Sequence, residues 1–148
     1  MPWVLLMVME VVFFVKLFVI ALILTIIFDV LWLGVIMGNT YKTELASIAR
    51  IEDGSLKANF VSGGIVYLLI ALGVVFFVVQ YGGTLLAVFG KGALLGLVLY
   101  GVYELTNHAI LKAWPLKIVL LDMTWGVILC SVVSVLTLFL ARLIPWGN

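Results

Sequence analysis

The chain has 148 residues, 66% of them hydrophobic and only 10% charged, with a formal net charge of +1. A soluble domain carries about 25% charged residues, so this composition excludes an ordinary water-facing surface. The near-neutral balance and the lack of any basic run give no sign of nucleic acid or of an acidic protein as partner.

Several apolar runs exceed the ~18 residues that read as a membrane-spanning helix. They are continuous rather than alternating, which argues against a β-barrel. The expected class is an all-α, polytopic membrane four-helix bundle with an N-terminal interfacial helix or extension. Cys130 is the single cysteine, so no internal disulfide can form, and its apolar surroundings predict a buried, inert thiol. The N-terminal apolar stretch runs far past the 7–15 residues of a signal-peptide core and lacks a positive leader.

In chain order, residues 1–38 are apolar except for Glu10, Lys16, Thr25 and Asp29. As one helix they would measure about 57 Å, too long for a ~30 Å hydrocarbon core. Residues 1–16 are therefore expected to be an extension or interfacial helix, and 17–38 the first span. Residues 39–58 form the main polar segment; TELASIARI within it suits a short surface helix, and Glu52-Asp53-Gly54 signals a turn. The second span is expected over 60–80, broken by Tyr81-Gly82-Gly83-Thr84. Residues 85–91 read as the turn into a third span at 92–111. Lys112, Trp114, Pro115 and Lys117 make a tight connection. The fourth span covers 118–143, with Arg142 and Trp146 at its far edge. The four spans, 17–143, form one domain.

Four spans put both termini on one side, side A. Side B holds the 39–58 and 112–117 loops with Lys42, Arg50, Lys57, Lys112 and Lys117. Side A holds Lys91 and Arg142, with Lys16 at its edge. The positive-inside rule places side B in the cytoplasm.

Four polar residues stand where lipid should forbid them: Asp29, Glu104, Asn107 and Asp122. A charged side chain at the bilayer centre costs roughly 2.5–3.5 kcal/mol on insertion scales. Counting at 1.5 Å per residue, Asp29 lies about 14 Å, and Glu104 and Tyr67 about 12 Å, from side B. Asn107 and Asp122 lie about 7–8 Å in. Each shares a helical stripe with other marked residues: Thr25, Asp29 and Trp32; Asn59, Gly63 and Tyr67; Tyr100, Tyr103, Glu104 and Asn107; Asp122, Trp125 and Gly126. The expectation is a polar pocket open to side B, lined by the acids and Asn107 with Trp32, Tyr67, Tyr103 and Trp125. Without a counter-charge, three nearby carboxylates cannot all stay ionised, which suits proton exchange or cation binding. The competing reading is helix glue. Glue normally uses hydroxyls and amides, so three acids on three helices favour function.

Other chemistry has less support. Glu104 and His108 are i, i+4 neighbours, but no second histidine and no Glu-x-x-His pair is present, so no metal or cofactor is expected. No serine or cysteine nucleophile stands near His108. Gly92 and Gly96 form a small-xxx-small pair that favours close helix contact, within the bundle or between subunits. Asp-x-x-Trp occurs at 29–32 and 122–125, each read as a buried acid with an indole one turn away to donate to it.

The segments FDVLWLGVI (28–36) and YELTNHAILKAWPLKIVLLDMTWG (103–126) resemble a family of small, uncharacterised bacterial membrane proteins. The matching positions are Asp29, Trp32, Leu33, Gly34, Tyr103, Glu104, Leu105, Thr106, Asn107, Trp114, Pro115, Asp122, Trp125 and Gly126. The resemblance covers about residues 14–143 and implies four spans in a bacterial inner membrane, with no assigned activity. The first 13 residues look like an addition, and position 104 is Glu where the family pattern leads one to expect Asp.

The functional expectation is a membrane protein binding or moving a proton, cation or small polar or lipid-like ligand at the acids. The alternative is an accessory or structural subunit of a larger membrane complex, docking through the N-terminal extension. A lipid-directed enzyme using the acids as general acid and base is a third class. Beyond the bilayer, a homo-oligomer or a larger complex stays open.

Overall fold

A computed structural model describes residues 2–144, so the expected edge marker Trp146 lies outside the described residues. Four long helices form the bundle. Helix α1 spans Pro2–Leu31 and runs into a π-helical turn at Trp32–Ile36. A short helix α2 follows at Gly38–Glu44, then strands β1 (Ile51–Glu52) and β2 (Ser55–Leu56). Helix α3 spans Phe60–Val74 and ends in a second π turn, Val75–Val79. Helices α4 (Leu85–Ile110) and α5 (Leu116–Leu143) complete the chain. The candidate spans are Leu6–Ile36, Phe60–Val79, Leu85–Ile110 and Leu116–Leu143, each long and apolar enough to cross a membrane.

The structure departs from the expected boundaries at three places. The segment expected as an extension or interfacial helix, residues 1–16, is continuous with the first span from Pro2 onward: α1 is unbroken through Lys16. No glycine or proline interrupts it between Trp3 and Leu31, and Lys16 turns inward instead of marking a break. The third helix begins at Leu85, earlier than 92, because Thr84 caps it by accepting from the Ala87 amide at 3.2 Å. Gly82 and Gly83, both at positive φ, make the preceding turn, and a lone Gly90 is too weak a breaker to delay the helix. TELASIARI is not helical as a unit: α2 precedes most of it and ends at Glu44. Asp53 and Gly54, both at positive φ, instead close a two-residue hairpin pairing Ile51 with Leu56 and Glu52 with Ser55, the geometry favoured for Asp-Gly.

The bundle is divided lengthwise. Its side A half is an apolar core of Leu17, Ala21, Val74, Val78, Val88 and Val133, all at most 1% exposed. Helices α1 and α5 run antiparallel there. Lys16, 7% exposed, donates to the carbonyl oxygens of Ala141, at 2.8 Å, and Ile144. These carbonyls lie at the end of α5, where helical partners run out and a cation is favoured. Lys16→Met should therefore fray the last turn of α5 and cost about 1–2 kcal/mol. Faster amide exchange over residues 139–144 would show it; exchange equal to wild type would refute the capping role.

Helices α4 and α5 meet through small residues. A Cβ on Gly92 would stand 2.6 Å from the Cys130 carbonyl oxygen, and one on Gly96 would fall onto the carbonyl of Gly126. The Gly92/Gly96 pair thus serves contact inside the bundle. The ring of Tyr100 lies over Gly126, filling the space that a side chain there would need. Cys130 is buried in the same contact region.

Candidate functional site

The side B half holds the polar residues, in two separate sets. The first centres on Asp29 and Asp122. Asp29, 8% exposed, follows Thr25 on α1. Thr25 is fully buried and spends its hydroxyl on the Ala21 carbonyl at 2.8 Å, so it gives Asp29 no hydrogen bond. Asp29 Oδ2 accepts from the Tyr67 hydroxyl of α3 at 3.0 Å, and Oδ1 accepts from Trp125 Nε1 of α5 at 2.9 Å. One carboxylate thereby ties three helices together.

Asp122, half-buried one turn before Trp125, accepts from the Tyr41 hydroxyl of α2. That hydroxyl in turn accepts from Trp32 Nε1 at 3.1 Å. The indoles of Trp32 and Trp125 stack with centroids 4.4 Å apart and planes 2° from parallel. The two Asp-x-x-Trp segments, on antiparallel helices, therefore serve each other. Trp125 donates to Asp29 of the opposite segment, and Trp32 reaches Asp122 of the opposite segment through Tyr41. This corrects the expectation that each indole serves the acid of its own segment. The stack turns each Nε1 across the interface instead of along its own helix.

Tyr41 was not foreseen as a site residue, because it lies in the polar segment and carries no depth signal. It is nevertheless 7% exposed. Helix α2 folds back against the end of α1, and Lys117 pairs with Glu44 at 2.7 Å, joining α2 to the start of α5. The pair is largely exposed on the Lys117 side and worth at most about 1 kcal/mol, so it guides α2 more than it anchors it. The readable signal was the shallow depth of Asp122, which puts it within reach of a side B loop.

The second set centres on Glu104, which is 0% exposed. Its Oε2 accepts from Trp114 Nε1 at 2.7 Å. The Trp114 ring meets Tyr103 edge-on, with centroids 5.9 Å apart. Trp114, expected only as an interface anchor, is thus a direct partner of the acid. His108 is exposed and directs its Nδ1–H at the Trp114 carbonyl oxygen at 2.9 Å. Glu104 Oε1 and Asn107 Nδ2 are buried and have no hydrogen-bond partner among the described residues. Tyr103 is 57% exposed and faces outward as much as inward.

Asp29, Asp122, Trp32, Tyr67 and Trp125 are thus one hydrogen-bonded and stacked group. Glu104 and Tyr103 form another around Trp114, with Asn107 on the same helix but not hydrogen-bonded to it, and no hydrogen bond joins the two sets among the described residues. No cation pairs with any of the three intramembrane acids among the described residues, where the Lys117–Glu44 pair is the sole salt bridge. Nor do three or more His, Cys, Asp or Glu side chains converge there as a metal-ligating cluster. Among the described residues, every donor to Asp29, Asp122 and Glu104 is a neutral phenol or indole.

No curated protein and no solved structure matches the chain. One family model does, described as "Predicted membrane protein (DUF2177)", over residues 14–139. That stretch contains both Asp-x-x-Trp segments, Tyr67, Glu104, Asn107 and Trp114, and it leaves out the first 13 residues. The chain therefore belongs to this family of predicted membrane proteins of unknown function.

Proposed function

We propose that this membrane protein binds and exchanges a proton at the Asp29–Asp122 centre, from the side of the bilayer that holds the 39–58 and 112–117 loops. The observation that carries the reading is the pairing of two intramembrane carboxylates with neutral donors alone. A carboxylate in a low-dielectric site with no cation beside it gains most by taking up a proton. A proton needs one carboxylate, whereas a metal ion needs several converging ligands. Asp122 is the outer group, half-buried behind Tyr41. Asp29 is the inner one.

Exchange is one-sided in this reading, because the packed core of Leu17, Ala21, Val74 and Val133 closes the other half of the bundle. Side B is the cytoplasmic face on the balance of lysine and arginine. Glu104, in the second set, is not part of the exchanging pair.

The test is infrared difference spectroscopy of the purified protein in lipid, taken between alkaline and acid pH. A band of protonated carboxyl should grow as pH falls, and Asp29→Asn should remove part of it without changing the amide bands. Identical carboxyl spectra for wild type and variant would sink the proposal.

One observation favours a second reading, the accessory subunit. Trp3, Val4, Leu6, Met7, Val8, Met9, Val11 and Val12 on α1 are all at least 46% exposed. Apart from Glu10, the described side chains here are apolar, whereas an interfacial helix carries a whole polar face. A stoichiometric membrane partner that survives mild detergent, and is lost when residues 2–13 are deleted, would support that reading.

A further inference from the structure

A cleft of about 200 Å³ opens where the 39–58 loop leaves the first span, between the π turn after α1, helix α2 and the β1–β2 hairpin. Leu33, Asn39, Lys42, Gly54, Ser55 and Leu56 line it. Lys42 is half-buried and carries its ammonium across to the hairpin: a Cβ on Gly54 would stand 3.9 Å from Lys42 Nζ. No carboxylate pairs with that ammonium among the described residues, where Lys117–Glu44 is the sole salt bridge. Glu52 and Asp53 of the same hairpin lie outside the cleft lining. A cation partly withdrawn from water without a counter-charge is costly, so the cleft favours an anion. The Asn39 amide and the Ser55 hydroxyl add neutral donors to it.

The place of the cleft in the fold selects the kind of anion. Leu33 belongs to the first span, and Leu56 stands just ahead of the second, which begins at Phe60. Both leucines are exposed, as are Ile36 and Phe60 at the ends of those spans. One wall of the cleft is therefore apolar and borders the acyl chains of a surrounding bilayer, while Lys42 stands at headgroup level. The cleft is smaller than the ~300–1,000 Å³ of sites that enclose a whole small molecule, which suits a headgroup whose chains stay outside. We propose that it binds the phosphate of an anionic phospholipid, with Lys42 against the phosphate and the acyl chains running past Leu33 and Leu56. A choline headgroup would set its own ammonium beside Lys42, and a free phosphate would leave the two leucines unused. Neither Asp29 nor Asp122 takes part, so the site stands or falls independently of proton exchange there.

The test is native mass spectrometry of the full chain released from micelles that contain equal amounts of phosphatidylglycerol and phosphatidylcholine. Wild type should retain one phosphatidylglycerol about five-fold more often than phosphatidylcholine, the factor carried by roughly 1 kcal/mol for one lysine at an anionic lipid surface. Lys42→Gln should erase that preference. Ser55→Trp, which keeps the lysine but fills the cleft from an exposed hairpin position, should erase it as well. Lys112→Gln, at an exposed side B lysine outside the cleft, should keep it. Equal retention of both lipids by wild type, a preference that survives Lys42→Gln or Ser55→Trp, or an equal loss in Lys42→Gln and Lys112→Gln would overturn the proposal. Inorganic phosphate added to the micelles should not displace the lipid; displacement would assign the cleft to a soluble anion and overturn the lipid assignment.

Discussion

Asp29→Leu should unfold the bundle more readily than any other single change in the side B half, whereas Asp29→Asn should leave it nearly intact. Leucine would strand the Tyr67 hydroxyl and Trp125 Nε1, which now donate to the two carboxylate oxygens at 3.0 and 2.9 Å. Each buried donor left without a partner costs about 1–3 kcal/mol. The lower end is the better guide in a membrane, where the unfolded helices also find partners. Asparagine avoids this cost. Its carbonyl oxygen can accept from Trp125, and its amide can donate to the Tyr67 hydroxyl, which reverses from donor to acceptor. The measurement is the midpoint of denaturation in mixed micelles. A midpoint for Asp29→Asn close to wild type, with a clear drop for Asp29→Leu, is the expected order. Equal midpoints for Asp29→Leu and wild type would show that the carboxylate bonds hold nothing together.

The pair of variants also separates the two roles an intramembrane acid can play. If Asp29 is helix glue alone, Asp29→Asn should behave as wild type in every respect. If it exchanges a proton, the same protein should fold and yet lose part of its pH-dependent carboxyl signal. Stability and protonation are thus read on one molecule, and neither result depends on knowing a physiological ligand.

Gly96→Leu should have the largest effect in the rest of the molecule. Helices α4 and α5 approach so closely at Gly96 that a single added Cβ would coincide with the Gly126 carbonyl. The obstacle is backbone, so no rotamer change relieves it. Overpacking of this kind costs about 1–3 kcal/mol where side chains can yield; here α4 must shift as a body, so the upper end applies. The displacement would carry Tyr100 off Gly126. The expected outcome is a lower unfolding midpoint and a broader size-exclusion profile, with Gly90→Leu as the control. A Cβ at Gly90 meets nothing within 4 Å, and that variant should match wild type. If both leucine variants behave alike, the close α4–α5 approach is not what holds these helices together.

Much of the molecule is legible in its sequence. Four helical spans follow from uninterrupted apolar runs, since in hydrocarbon a backbone must satisfy its own polar groups. The clustering of Asp29, Glu104, Asn107 and Asp122 toward one end of the bundle follows from counting residues at a fixed rise. Glycines four apart on α4 already implied a close helix contact.

Partnership was not legible. Periodicity tells which residues share a face of one helix, but not which face of a neighbour it meets. For that reason the indole of each Asp-x-x-Trp segment seemed destined for its own acid. Only the antiparallel docking of α1 on α5 crosses the pairs, because it stacks Trp32 on Trp125 and points each Nε1 outward from the stack. The same docking recruits Tyr41 from a loop and separates Glu104 from the other acids, giving it Trp114 instead. It also turns Lys16 inward to the end of α5. Composition and helical period are local properties and can be read along the chain. The hydrogen bonds of a buried acid depend on distances between residues as far apart as Asp29 and Trp125, and only packed helices define those.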